Sequence, residues 1–150
     1  MELRDLDVLV LTDFSEASSR ALGVAVGLVA AHGGRITLLH VGELATLINA
    51  EMDPVGPGGR SWADIRGDVR AAEKAKLATQ LKDEVPPSVE KRALYLEGRA
   101  AATIQQALDE HPYSLVVMGH RGRGKVGQLV MGSTASKVVR AATLPILVVP

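Results

Sequence analysis

Two kinds of hydrophobic pattern alternate along the chain. Four short runs are apolar, rich in branched residues and too brief for helices, which predicts buried strands. These runs are residues 7–11, 36–41, 115–118 and 145–149. Between them, apolar residues recur at the spacing of one helix face, as in Ala17, Ala21, Val24 and Leu28. The chain therefore alternates between predicted strands and predicted helices.

The remaining segments complete a five-stranded α/β arrangement. Residues 89–96 alternate charged and apolar side chains in their first half, which favours a less buried edge strand. Helices are predicted after Ser15, over residues 61–84, around Ile104 and from Ser133 onward, with Ser15 and Ser133 as caps. Near-continuous apolar strands and right-handed crossovers then predict a doubly wound parallel sheet of order 3-2-1-4-5, with helices on both faces.

Such a sheet has a definite place for a ligand. Where the strand order reverses, between the first and fourth strands, a crevice opens outside the carboxyl ends of the strands. Thr12 and Asp13 follow the first strand, and Met118 and Gly119 end the fourth. The predicted topology therefore brings these two pairs of residues together.

Size and composition restrict the class of protein. A length of 150 residues, 47% of them hydrophobic, fits a single domain over residues 1–150 with a full core. The absence of cysteine excludes a disulfide framework and thiolate metal sites. The charged residues 1–5 differ from a secretory signal, and no apolar run approaches the ~20 residues of a membrane helix. We therefore expect a cytoplasmic protein without a membrane partner.

Charge is distributed unevenly although the formal net charge is zero. Every acidic residue lies at or before Glu110, whereas residues 111–150 contain five basic residues and no carboxylate. This asymmetry favours an anionic ligand at the C-terminal third. Nucleic acid is the weaker interpretation, because five basic residues and few aromatic rings offer little phosphate contact or base stacking.

A glycine-rich junction follows the fourth strand. It reads Gly119-His120-Arg121-Gly122, and after nine further residues comes Gly132-Ser133. Glycine lets backbone approach a ligand closely, and the N-terminus of a helix favours phosphate. Two common phosphate motifs overlap this stretch but fit it poorly. The dinucleotide-type glycines at 122–127 follow the fourth strand instead of the first, and the P-loop-like stretch lacks its hydroxyl residue.

The spacing of these glycines, with apolar strands on either side, resembles the ATP-binding branch of the universal stress protein family. Nearly the whole chain contributes to the resemblance. The other matching stretches are residues 10–16, 38–41, 97–98 followed by Ile104, and 144–149. The resemblance implies an adenine nucleotide alpha hydrolase-like fold, ATP as the ligand, and a homodimer formed through residues 146–149. An exposed apolar edge strand at this position would also favour pairing with a second copy.

The resemblance further implies which residues bind the nucleotide. Asp13 and Val41 would hold the adenosine, with Thr12 at the same strand end, while Met118 and Gly119 would lie along the ribose and the first phosphates. The expected phosphate ligands are Arg121, Gly122, Gly132, Ser133 and Thr134. Three alternatives stay open from the residues themselves. Asp13 could merely cap the first helix, Gly119 and Gly122 could serve only a tight turn, and Arg121 could be solvated.

The sequence contains no recognisable catalytic or metal-binding constellation. Any Mg²⁺ would be held mainly by the phosphates, with at most Asp13 nearby. We therefore expect a regulatory nucleotide-binding protein with an unidentified protein partner and slow or no ATP hydrolysis, and not an enzyme. The alternatives are a partner-binding module that takes AMP, another adenine nucleotide or none, and a weak ATPase. His40 is predicted to be a satisfied core group, and Glu73 and Lys76 to form a surface pair.

Overall fold

The computed structural model describes residues 2–43, 55–120 and 131–150. Five strands and four helices alternate along these residues, and a short 3₁₀ turn at Pro57–Gly59 precedes the second helix. The elements are β1 (Leu6–Leu11), α1 (Glu16–His32), β2 (Gly34–Gly42), α2 (Trp62–Glu84), β3 (Glu90–Glu97), α3 (Ala100–Glu110), β4 (Leu115–Gly119), α4 (Ser133–Ala141) and β5 (Ile146–Val149). None of the helices in the described part of the chain combines the length and the apolar composition of a membrane span.

The five strands form one parallel sheet of order β3-β2-β1-β4-β5, which confirms the predicted fold. The central strand β1 pairs with β2 on one side and with β4 on the other. Strand β3 lies at one edge and is partly exposed, as its mixed pattern predicted. The switch point therefore lies between β1 and β4, where Leu11 and Gly119 end their strands.

Both faces of the central strands are buried, because helices cover the sheet on each side. Val8 and Val10 of β1 belong to one core cluster, with residues of α1 and α2. Leu9 and Leu11 alternate with them and belong to a second cluster, with residues of α3 and α4. This alternation explains why β1 is apolar at nearly every position.

The helix ends agree with the sequence prediction at α1 but not at α4. Ser15 caps α1 as predicted, and its Oγ accepts a hydrogen bond from the Ser18 amide at 3.2 Å. The prediction that Ser133 caps α4 is wrong, because Gly132 occupies the cap position and Ser133 is the first helical residue. Since glycine has no side chain, the cap residue supplies no side-chain acceptor for the N–H groups at the start of α4.

Candidate functional site

A cavity of about 530 Å³ lies at the carboxyl ends of β1, β2 and β4. Its size falls within the range of small-molecule sites. Eight of the ten site residues predicted from the sequence line it, namely Thr12, Asp13, Val41, Met118, Gly119, Gly132, Ser133 and Thr134. The other two, Arg121 and Gly122, lie outside the described residues. The structure thus brings together residues that are more than 100 positions apart in the chain.

Thr12 holds the turn after β1 in place. It is buried, and its hydroxyl donates a hydrogen bond to Gln80 Oε1 at 2.7 Å. The hydroxyl oxygen of Thr12 also accepts a hydrogen bond from the Phe14 amide at 3.1 Å. Its carbonyl oxygen is bonded to His40 Nδ1 at 2.8 Å. These contacts commit both the hydroxyl and the carbonyl of Thr12 to the protein. Thr12 therefore shapes the cavity wall and has little capacity left for direct polar contact with a ligand.

Asp13 is half-buried and follows Thr12 in the turn after β1. Its Oδ1 accepts a hydrogen bond from the Ser15 amide at 3.0 Å. Since Ser15 is itself the cap of α1, this contact fixes the chain that leads into the helix. The alternative that Asp13 caps α1 is wrong, because Ser15 occupies the cap position. Hydroxyl and amino groups are the donors from which a carboxylate at this place can accept.

Backbone dominates the α4 end of the cavity. The Gly132 amide donates to the His120 carbonyl at 2.8 Å, which fastens the start of α4 to the residue after β4. Ser133 is exposed and Thr134 half-buried in the first turn. A helix N-terminus has free N–H groups and a partial positive charge. The described lining residues at this end carry no negative charge, which makes the α4 end suitable for an anion.

Gly119 owes its identity to packing against α1. A Cβ atom at this position would lie 2.9 Å from both the carbonyl carbon and the Cβ of Ala17. Real Cβ atoms essentially never approach so closely, and a backbone atom cannot move aside cheaply. The glycine therefore lets α1 approach the end of β4 closely, which closes the floor of the cavity. Sequence reasoning assigned this residue only to a turn or to a ligand.

Helix α2 supplies two charged side chains that sequence reasoning assigned elsewhere. Glu73 and Lys76 both line the cavity, and the predicted pair between them is wrong, because Glu73 contacts Tyr95 and His40 instead of Lys76. The cause is the course of α2 over β2 and β3, which directs this face of the helix towards the cavity. A signal was present in the sequence, because Glu73 lies four residues before Leu77, a core residue of the same helix.

Glu73 is held by two neighbours on the sheet. Its Oε2 accepts a hydrogen bond from the Tyr95 hydroxyl at 2.9 Å and lies 3.4 Å from His40 Nε2. Burial, followed by the adjacent Glu73 carboxylate, raises the pKa of the Tyr95 hydroxyl, which therefore stays protonated and donates. His40 is buried as predicted, but only Nδ1 makes a hydrogen bond. The other ring nitrogen of His40, Nε2, makes no hydrogen bond and lies next to the Glu73 carboxylate.

An aromatic pair forms the wall between α1 and α2. The Phe14 ring lies 4.4 Å from that of His40, centroid to centroid, and Lys76 Nζ lies 5.8 Å from the Phe14 centroid. Phe14 has a φ of 66°, a conformation that bulky residues rarely adopt. The bond from its amide to Thr12 Oγ helps to maintain this conformation. No pattern in the sequence predicted that Phe14 would take part in the cavity wall.

The cavity is lined by oxygen and nitrogen groups that can hydrogen-bond to a polar organic ligand. Among the described residues, no three His, Cys, Asp or Glu side chains cluster in a way that could hold a metal ion. Ligands of doubly wound α/β proteins bind in the crevice at the switch point of the sheet, which is where this cavity lies. The architecture therefore places the chain among doubly wound α/β folds before any relative is considered.

Comparison with known proteins identifies the family. The model of the universal stress protein family matches residues 7–150, and the chain belongs to this family. A curated relative, the "Universal stress protein in QAH/OAS sulfhydrylase 3'region" of Thermus aquaticus, is 34% identical over 142 residues. This alignment covers 95% of the present chain and 96% of the relative.

Solved structures share the fold at lower sequence identity. The structure of the hypothetical protein MJ0577 aligns with a TM-score of 0.78 at 18% identity, covering 97% of this chain and 95% of that one. A universal stress protein from Archaeoglobus fulgidus, solved with dAMP, aligns with a TM-score of 0.61 at 21% identity, covering 97% and 98% of the two chains. Another universal stress protein, solved with cAMP, aligns with a TM-score of 0.58 at 20% identity. This alignment covers 95% of the present chain and 94% of that one.

Proposed function

We propose that this universal stress protein binds ATP in the cavity at the carboxyl ends of β1, β2 and β4 and acts as a regulatory nucleotide-binding protein. One observation carries the proposal. The start of α4, the end of β4 and the turn after β1 converge on a single cavity, although they come from distant parts of the chain. Family members solved with dAMP and with cAMP support an adenine nucleotide as the ligand.

The charges around the cavity favour one orientation of the nucleotide. Asp13, Glu43 and Glu73 line the side formed by β1, β2 and α2, and these carboxylates would repel phosphates. The first turn of α4 offers N–H groups and hydroxyls to phosphates instead. We therefore place the phosphates at Ser133 and Thr134, the ribose near Asp13, and the base near Val41.

We propose that ATP is held and released more readily than it is hydrolysed. The described residues at the proposed phosphate end of the cavity are Gly119, Gly132, Ser133 and Thr134. None of these side chains can serve as a general base for an attacking water. Any Mg²⁺ would be coordinated mainly by the phosphates. Nucleotide occupancy would then act on a protein partner through a change in the surface around the cavity.

Thermal unfolding tests nucleotide binding directly. Protein freed of carried-over nucleotide should unfold at a higher temperature when ATP is added. At a concentration about 100 times its Kd, a ligand stabilises the native state by about 2.7 kcal/mol, which corresponds to roughly 5–10 °C for a domain of this size. No shift with ATP, AMP or cAMP would contradict nucleotide binding. A shift with AMP or cAMP and none with ATP would favour the alternative of a module for another adenine nucleotide.

A homodimer is the second part of the proposal. Strand β5 forms an edge of the sheet, and Leu147 is among the exposed large hydrophobic residues. An apolar edge strand is an aggregation hazard unless another strand covers it. Pairing of Ile146–Val149 with its copy across a two-fold axis would bury this edge. We expect light scattering at micromolar concentration to give the mass of a dimer, and a monomer mass would contradict this interface.

A further inference from the structure

Gln80 on α2 contacts the turn after β1 from the face of the sheet that is opposite to Val41 and α4. The core residues of α2 belong to one cluster, whereas those of α4 belong to the other, against which Val41 packs. Gln80 is buried and is absent from the residues that line the cavity. Its Oε1 accepts a hydrogen bond from the Thr12 hydroxyl, and its Nε2 lies 3.3 Å from Glu84 Oε2. A reversed amide would place its oxygen against the Glu84 carboxylate, so only one orientation of the amide is favourable.

Gln80 determines the direction of the single hydroxyl proton of Thr12. Because Gln80 Oε1 can only accept, the Thr12 proton points to it, at an oxygen–oxygen distance of 2.7 Å. The lone pairs of the Thr12 oxygen then face the Phe14 amide, which donates to this oxygen at 3.1 Å. Ser18 Oγ is the other neighbour of the Thr12 oxygen, at 3.1 Å, and it donates its own proton to the Ser15 carbonyl. Without Gln80, the Thr12 proton would turn to Ser18, and the oxygen would present different lone pairs to the Phe14 amide.

The Phe14 backbone needs this hydrogen bond. With a φ of 66°, Phe14 has a left-handed conformation that is costly for a bulky residue and persists only where neighbouring groups enforce it. Asp13 lies between Thr12 and Phe14 and lines the cavity. Relaxation of Phe14 to a more favourable φ would rotate the preceding peptide group and, with it, the Asp13 side chain. The direction of the Asp13 carboxylate therefore depends on the bond between the Thr12 oxygen and the Phe14 amide.

We propose that Gln80 is a positioning residue of the nucleotide site, which acts through Thr12 and Phe14 to direct Asp13 towards the ribose. This inference rests on the proposed function, because the placement of the ribose is part of it. Gln80 lies behind the turn and does not touch the ligand. Its loss should therefore weaken only the part of binding that Asp13 contributes. A residue with a purely structural role would change the stability of the protein without this selectivity.

The test compares ATP with 2′,3′-dideoxy-ATP, which lacks both ribose hydroxyls. Calorimetry on nucleotide-free protein gives the ratio of the two affinities. We expect the wild type to favour ATP by about tenfold, as a charge-assisted hydrogen bond to a carboxylate implies. Gln80→Met keeps the length of the side chain but removes the acceptor for Thr12, so the ratio should fall to about threefold. The affinity for dideoxy-ATP should stay the same.

Exchange of two neighbouring side chains on α2 provides a rescue. Gln80→Glu combined with Glu84→Gln restores an accepting oxygen opposite Thr12 and a donor beside it, and it leaves the net charge unchanged. The ratio of affinities should therefore return towards about tenfold in this double variant. A ratio that stays as low as in Gln80→Met would show that the acceptor for Thr12 is not the cause, and would overturn the inference.

Thr37→Val is the matched control for stability. Thr37 is buried, accepts a hydrogen bond from Arg92 Nε at 2.8 Å and is absent from the residues that line the cavity. Its loss should lower the melting temperature by roughly 3–10 °C, as should Gln80→Met, but leave the ratio unchanged. Equal losses for both nucleotides in Gln80→Met would overturn the inference, as would an unchanged ratio in that variant or a wild-type ratio near one. Absence of any ATP binding to the wild type would instead contradict the proposed function itself.

Discussion

Ser133→Asp is expected to abolish most ATP binding without destabilising the fold. Ser133 is the first residue of α4 and lines the cavity at the proposed phosphate end. Two unit charges 4 Å apart near a protein surface interact by about 4 kcal/mol, part of which is lost by screening. We therefore expect a loss of about 100-fold in ATP affinity, measured by calorimetry on nucleotide-free protein. An acidic residue in the first turn also stabilises a helix by about 0.3–1 kcal/mol, so the melting temperature should not fall.

The chain offers a matched control on the same helix. Ser136 lies one turn further along α4 and is absent from the residues that line the cavity. Ser136→Asp should reduce ATP affinity much less than Ser133→Asp. Adenosine, which has no phosphate, should bind the wild type and Ser133→Asp equally well. Unchanged ATP affinity in Ser133→Asp would show that the phosphates do not lie at the start of α4.

Gly119→Ala is expected to cost stability even when no nucleotide is present. The added methyl group would clash with the backbone and the Cβ atom of Ala17 at the start of α1. Overpacking of this kind costs about 1–3 kcal/mol, so we expect the melting temperature to fall by roughly 3–10 °C. Calorimetric or fluorescence melting of the nucleotide-free protein measures this effect.

Gly23→Ala is the opposite case and serves as the comparison. Gly23 is exposed within α1, and a Cβ atom there would meet nothing within 4 Å. Alanine is the better helix former by about 1 kcal/mol, so this variant should be more stable than the wild type. If Gly119→Ala melted at the wild-type temperature, the glycine would have to be explained by the ligand or the turn alone.

The fold could be predicted because its signals are local. Four of the five strands are short apolar runs, β3 has a mixed pattern, and helix starts have their own signals, as Ser15 shows for α1. The order of the strands then follows from general rules for parallel sheets. The cap of α4 was assigned one residue too late, because serine is a common cap and the sequence cannot show that Gly132 takes the cap conformation.

The site could be predicted where it depends on strand ends and on the family resemblance. Asp13 and Met118 follow or end predicted strands, so topology brings them to one cavity, whereas the resemblance implied Val41, Ser133 and Thr134. Glu73 and Lys76 were missed because their place depends on how α2 lies over the sheet, which periodicity does not specify. Gly119 was predicted as a site residue, but its close packing against Ala17 was not predicted, because the two residues lie in elements that are distant in sequence.

A crystal of the nucleotide-free protein soaked in millimolar ATP is the decisive test of nucleotide binding in this cavity. We expect a nucleotide in the cavity, with its phosphates against the backbone amides of Ser133 and Thr134, its ribose at Asp13 and its base beside Val41. A cavity that stays without nucleotide at that concentration, or ATP bound elsewhere on the protein, would show that this cavity is not the ATP site.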